Sequence, residues 1–237
     1  MKRRDRLRAE LEQDARTEAR RLTAAHGIDG LSLSAVARGI GVTPPALYRY
    51  FDGKKGLALA VYEDLLMEFV SVVAEAAERE DPKDLGAQLY AATRALFDWS
   101  IAHPAEIDLL MGSGYARLAA SVEAMDTLLL RELGSLYATL FSRLREEGAL
   151  THPPDDSFDP VLTRQLAAYR RLMGQGPDLP LGVVFLMISC WRQIYGLTCM
   201  AVYSHLATAF DDPLPLFNRM LDELLALLGV SRRSGQG

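Results

Sequence analysis

Residues 33–51 constrain this chain more than any other stretch, because they specify two short helices joined by a tight glycine-centred turn. Ser34 is placed to cap the first helix, which buries Val36, Ala37 and Ile40 along one side. Gly41 ends that helix, since glycine adopts the left-handed backbone needed just past a helix C-terminus without a Cβ clash. Val42 fills the angle that follows. Thr43 is placed to cap the second helix, and Pro44 and Pro45 lie in its first turn, where the amide that proline lacks has no intrahelical partner. Leu47 and Phe51, four residues apart, turn inward together.

The outer surface of the second helix is then Pro44, Ala46, Tyr48, Arg49 and Tyr50, which is short, aromatic and basic. Such a surface suits the major groove of DNA, which admits one helix whose N-terminal residues meet base edges. The alternative is a helical hairpin in which Tyr48 and Tyr50 only pack. Charge separates the two readings. The 237 residues carry a net charge of −5, yet the first 60 hold 12 basic against 7 acidic residues, and the remainder 14 against 24. Only the N-terminal quarter is suited to phosphate. Its opening residues Lys2, Arg3, Arg4, Arg6 and Arg8 are placed to add phosphate or minor-groove contacts, or else form a solvated, frayed terminus.

Beyond the helical pair, apolar residues recur at helical spacing, and no alternating strand pattern or repeat is present. Helices are predicted at 6–25, 55–79, 83–102, 104–110, 118–147, 160–173, 181–209 and 216–228, giving an all-α fold of about nine or ten helices. The expected organisation is a helix-turn-helix head with a basic arm over 1–54, a helical body over 55–229 and a disordered tail over 230–237. Residues 151–159, rich in Pro and Asp, read as a mobile loop, and Gly112 and Gly114 as a break. The 49% hydrophobic content supports a substantial core.

Residues 181–203 are the most apolar, but Arg192 and Gln193 interrupt them, whereas a membrane span needs about 20 apolar residues. A buried or dimer-forming helix is expected, with no membrane partner. The basic start runs into Ala9-Glu-Leu-Glu-Gln-Asp14 rather than an apolar segment, so a cytoplasmic chain without a signal peptide is expected. Cys190 and Cys199 fall on one helix roughly 13 Å apart along its axis, too far to pair, and read as buried thiols.

Catalytic chemistry finds no foothold. The histidines His26, His103, His152 and His205 have no metal-ligand spacing, no glycine-rich phosphate loop occurs, and the paired carboxylates fall at helix ends or turns. No catalytic site, metal or cofactor is expected. Trp99, Met111, Tyr115, Met125, Tyr137, Met187, Trp191 and Tyr195 are spread over several body helices, where they can line an effector pocket or simply fill the core. The last two helices carry more apolar surface than one neighbour covers, so pairing across a two-fold axis into a four-helix bundle is expected.

Residues 6–65 resemble the DNA-binding domain of the TetR-type transcriptional regulators, in Leu31-Ser-Leu, Val36-Ala, Gly41-Val, Pro45-Ala-Leu-Tyr-Arg-Tyr-Phe51 and Lys54-Lys-Gly-Leu-Ala. Trp99-Ser-Ile-Ala-His-Pro-Ala-Glu106 and Trp191-Arg-Gln-Ile-Tyr-Gly196 are similar to the ligand-and-dimer domain of actinobacterial members, with Tyr195 where a His is usual. The resemblance implies a homodimer whose heads enter successive major grooves of a palindromic double-stranded operator. It implies phosphate and base contacts from Tyr48 and Tyr50, and a phosphate contact from Lys54. Thr43, Pro44 and Ala46 would sit nearest the base edges, with Ser34 and Pro45 in the same interface. Few hydrogen bonds are on offer there, so thymine-methyl contacts and DNA shape would carry part of the specificity. Arg49 is suited to guanine or to phosphate. The function expected is a regulator, a repressor released by a small and largely apolar effector. The alternative from another class is a helical ligand-binding or adaptor protein without sequence-specific DNA binding.

Overall fold

Helix α1 spans Arg3–His26, yet its apolar seam begins only at Leu11: Leu7 is exposed, whereas Ala15 and Ala19 are completely buried. Gly27, at φ 66°, ends it and leads into a 3-10 turn, Ile28–Gly30. The computed structural model describes residues 3–119 and 125–231, apart from the side chains of Arg4, 117–119 and 125–126. The remaining helices are α2 Leu33–Gly39, α3 Pro44–Leu47, α4 Gly53–Glu78, α5 Leu85–Ala102, α6 Pro104–Met111, α7 Ser113–Ala119, α8 Met125–Glu146, α9 Pro160–Leu172, α10 Leu181–Val202 and α11 Leu214–Leu227. No strand occurs among the described residues, so the fold is all-α as expected. The chain divides into two units, Met1–Glu68 with His103–Asp126, and Phe69–Ala102 with Thr127–Gly237. The division runs through α4.

In the first unit, α1 packs against α2 and α6, and α6 against α7. Leu31, Leu33, Val36, Ala37, Leu47, Phe51, Leu57 and Val61 are buried with Ala15 and Ala19. Each fully buried aliphatic side chain contributes about 1.5–3 kcal/mol. Arginines of α1 add polar links. Arg16 donates to Asp64 at 2.9 Å and to the Ala60 carbonyl at 3.1 Å. Arg20 donates to both Glu68 oxygens at 2.5 and 3.2 Å, and lies 3.6 Å from Glu106 of α6. The hydrogen bonds to Glu68 hold the Arg20 guanidinium above its ordinary pKa. Gly112 ends α6, as expected of a break there, whereas Gly114 lies inside the next helix. Asp108 accepts the N–H groups of Ser113 and Gly114 at 3.0 and 3.1 Å, so a new helix, α7, starts immediately. This is the helix the sequence reading lacks; the predicted start at Leu118 falls inside it, and residues 120–124 lie outside the described residues.

The second unit is held by aromatic and aliphatic packing. Phe97 of α5 stacks on Phe217 of α11 at 3.9 Å between centroids, and Phe69 lies 4.9 Å from Trp99. Helix α10 is long and apolar enough to cross a membrane by length and composition, but it packs against α5, α9 and α11 and buries Val183, Val184, Met187, Cys190 and Ile194. Its N-terminal half belongs to the core of this unit, and beyond Cys190 only Ile194 and Thr198 are buried.

Two expectations are corrected here. Helix α10 ends at Val202 rather than 209. Ser204 takes φ 58°, its N–H bonds the Ala201 carbonyl at 3.1 Å, and the His205 N–H bonds the Met200 carbonyl at 2.8 Å. That is a left-handed C-terminal cap with serine in glycine's role. The segment 151–159 is also anchored rather than free. Both oxygens of Asp155 accept N–H groups from Leu181 and Gly182, each at 3.0 Å, capping an α10 N-terminus whose own cap residue, Pro180, offers no side-chain bond. Phe158 packs on Phe185 at 5.3 Å. A Cβ on Gly182 would fall 1.9 Å from the Pro153 carbonyl oxygen, so only glycine admits the segment this close.

Candidate nucleic-acid interface

The turn between α2 and α3 is built as its residues dictate. Gly41 stands at φ 73°; its N–H reaches the Arg38 carbonyl at 3.4 Å and the Val42 N–H the Ala37 carbonyl at 2.9 Å, closing the helix with a left-handed glycine. The cap at the other end of α2 is Ser32, not Ser34. The Ser32 hydroxyl accepts the Ala35 N–H at 3.1 Å, while Ser34 is exposed inside the first turn. Leu33 explains the shift: it is buried, so the helix must begin early enough to seat it on the inner face.

Thr43 occupies the cap position of α3 with extended backbone, but its side chain makes no capping bond, which corrects that part of the reading. The α-helical part of α3 is four residues long, and Tyr50 and Phe51 then return their N–H groups to the Leu47 carbonyl, both at 3.0 Å. Leu47 and Phe51 are buried as expected. They clamp the segment from behind. On the other side Tyr48 is 64% exposed, Thr43, Pro45 and Arg49 are exposed, and Pro44, Ala46 and Tyr50 are half-buried. Eight consecutive residues thus present seven side chains, at least in part, to solvent while one, Leu47, fixes them. Lys54 is exposed in the first turn of α4, where its ammonium donates to the Asp29 carbonyl at 3.3 Å.

The basic terminus is helical from Arg3 onward, not an irregular arm. Arg6 pairs with Glu10 at 3.4 Å, and Arg8 lies with its guanidinium 5.3 Å from the centre of the Tyr50 ring. Lys2 and the Arg4 side chain lie outside the described residues, and Arg3 is exposed. Sequence reasoning placed Arg8 in the basic terminus but missed its place over the Tyr50 ring; nothing in the local pattern joins residues so far apart.

The residues read as effector-facing divide between the units. Met111 and Tyr115 belong to the first, where Tyr115 lies 6.2 Å from Tyr62 between ring centres. Trp99, Tyr137, Met187, Trp191 and Tyr195 belong to the second. Trp99 and Met187 are buried, and Trp191 and Tyr195, one turn apart on α10, stack at 5.7 Å while staying half-exposed. The Tyr137 hydroxyl sits 3.2 Å from Thr93 Oγ1, and burial pushes its pKa up. The side chain of Met125 lies outside the described residues. No cluster of His, Cys, Asp and Glu suited to a metal occurs among the described residues. Burial pushes the Cys190 thiol up to about 11, far from a reactive thiolate.

Known proteins resolve the assignment. Residues 16–61 match the family described as bacterial regulatory proteins, tetR family. The HTH-type transcriptional regulator Rv1816 of Mycobacterium tuberculosis is 26% identical over 230 residues, spanning 96% of this chain and 95% of that protein. Regulator Mb1846 of Mycobacterium bovis matches to the same extent, 26% over 230 residues. Among solved structures, regulatory protein SCO4313 superposes with a TM-score of 0.68 at 20% identity, covering 95% of this chain and all 100% of that one. The regulator FadR of Bacillus subtilis, solved with stearoyl-CoA, gives 0.56 at 12% identity, covering 91% and 98%. The match over the helix-turn-helix, the relatives aligned nearly end to end and the shared all-α fold agree: residues 16–61 match the tetR family of bacterial regulatory proteins, and the chain as a whole is similar to regulators of that kind.

Proposed function

We propose that this helix-turn-helix transcriptional regulator is a cytoplasmic repressor. Two copies bind a palindromic operator through residues 43–50 and Lys54, and a small, largely apolar effector taken up by the helical body releases them. The observation that carries the reading is the clamped display of Tyr48, Arg49 and Tyr50, with Leu47 and Phe51 buried behind them. A helix end held this way can enter a major groove without reorganising first. Direct hydrogen bonding from Thr43, Pro44, Pro45 and Ala46 is sparse, so Arg49 and DNA shape carry much of the discrimination.

The dimer reading is supported by exposed apolar residues on the last two helices and the turn after α10, namely Met200, Tyr203 and Leu227. The effector reading is supported by the aromatic and methionine content of the body and by the acyl-CoA held by the Bacillus subtilis relative. An effector can release DNA only by the difference in its affinity for the DNA-competent and DNA-incompetent forms. Helix α4, which runs from the first unit into the second, is the proposed lever between them.

The test is a selection of duplexes from a random pool by the full chain, followed by titration of the enriched duplex with long-chain acyl-CoA. An enriched inverted repeat, released by the acyl-CoA, is the expected result. Enrichment of no sequence would overturn DNA recognition; an enriched site indifferent to acyl-CoA would overturn this effector class while leaving the operator reading in place. Light scattering that finds a monomer on the enriched duplex would overturn the dimer.

A further inference from the structure

Arg8 is the odd member of a series. Among the described residues from Arg6 onward, every other arginine of α1 has a carboxylate: Arg6 has Glu10, Arg16 has Glu12 and Asp64, Arg20 has Glu68 and Glu106, and Arg21 has Glu18. The carboxylate one turn along from Arg8, Glu12, is turned instead to Arg16 at 3.3 Å. Arg8 is exposed and lies over the ring of Tyr50, at the outer end of the displayed segment. A cation–π contact uses the charge of a guanidinium and engages none of its five N–H donors with an acceptor. A cation over the ring also strengthens the phenol as a donor, since it draws electron density from the ring. The backbone at Tyr50 is anchored, its N–H bonded to the carbonyl of the buried Leu47 at 3.0 Å.

We infer that Arg8 and Tyr50 form one composite phosphate clamp, in which a guanidinium from α1 and a phenol from the recognition segment close on a single phosphodiester group of duplex DNA. Neither residue alone makes the site. Arg8 supplies the charge and holds the ring; Tyr50 supplies the second donor and fixes where the guanidinium lies relative to the segment that meets the bases. The clamp rests on the DNA-binding reading proposed above and adds to it a contact from α1 that a local sequence pattern does not contain. It also gives the N-terminal extension of α1, which buries no apolar residue before Leu11, a reason to remain helical.

Equilibrium binding of the full chain to its enriched duplex, measured from low to high salt, tests this with Arg8→Ala, Arg8→Lys, Tyr50→Phe and the Arg8→Ala/Tyr50→Phe double variant. Arg8→Ala is expected to weaken binding about tenfold, as loss of a charge-assisted hydrogen bond does. It should also reduce the salt slope by about 0.9 per bound head. Arg8→Lys should restore the slope, since it keeps the charge and the ring contact. The double variant should be weaker by clearly less than the product of the single effects, because each change disables the same site. All variants should melt with the parent. A parent slope in Arg8→Ala, or single effects that multiply, would overturn the clamp while the parent still binds its duplex. If the parent enriches no duplex at all, the DNA reading falls and the clamp falls with it.

Discussion

The two units of this chain keep their shape by different means, and the difference decides where stability and function can be separated. In the first, short helices are fixed by one glycine turn, a serine cap and arginine–carboxylate links from α1, while Tyr48 and Arg49 stand clear of the core. In the second, the large apolar side chains are themselves the structure: Phe97 on Phe217, Phe69 on Trp99, and the buried stripe of α10. Outward residues of the first unit are therefore free to specialise without a stability cost. The aromatic residues of the second carry both packing and any effector chemistry, so a single change there disturbs both.

This contrast is sharpest at Phe217, which is fully buried and stacked at 3.9 Å. Phe217→Ala should cost about 3–5 kcal/mol of unfolding free energy in urea. Tyr48→Ala, at a residue 64% exposed, should leave stability within about 0.5 kcal/mol while impairing DNA binding. Equal losses for the two would break the comparison. Next in size is Gly182→Ala, whose methyl group would meet the Pro153 carbonyl oxygen. About 1–3 kcal/mol is expected from this overpacking. A neutral result in a thermal melt would mean that the 151–159 segment is not held against α10.

Smaller effects resolve the caps of the first unit. Ser32→Ala should cost about 1 kcal/mol, because it strips the acceptor of the Ala35 N–H, whereas Ser34→Ala and Thr43→Ala should cost little. The reverse order would restore Ser34 as the cap. The smallest expected effect is a pH dependence in the second unit. Burial raises the Cys190 thiol from 9.0 to about 11, so the folded chain holds that proton where the unfolded chain releases it. Its contribution is fully present below pH 9, declines as pH rises towards 11, and is gone above that. Relative to Cys190→Val, the parent should lose stability across that window and not below it; parallel curves would show the thiol to be less enclosed.

What could be read in the sequence follows the same division. Gly41, Pro44, Leu47 and Phe51 were legible because a turn, a helix start and an i, i+4 pair are local facts. The cap was misplaced by two residues, since Ser32 and Ser34 both precede apolar positions and only the burial of Leu33 chooses between them. Helix ends were missed where a residue played another's part: Ser204 adopts a backbone usually left to glycine, and Asp108 restarts a helix across Gly112. Links across long stretches of chain were not legible at all. Asp155 caps an N-terminus 26 residues away, and Arg8 meets Tyr50, through pairings that no periodicity encodes.

The central claim, that the surface displayed by residues 43–50 reads DNA sequence, is tested most directly by the affinity of full-length Arg49→Ala and parent chains for the enriched duplex and for a scrambled duplex of equal composition. The parent should prefer the enriched duplex by at least about 10³-fold at physiological salt. Arg49→Ala, if the guanidinium reads a guanine, should lose about 1–3 kcal/mol of that preference with little change on the scrambled duplex. A parent chain that binds both duplexes equally would contradict the claim.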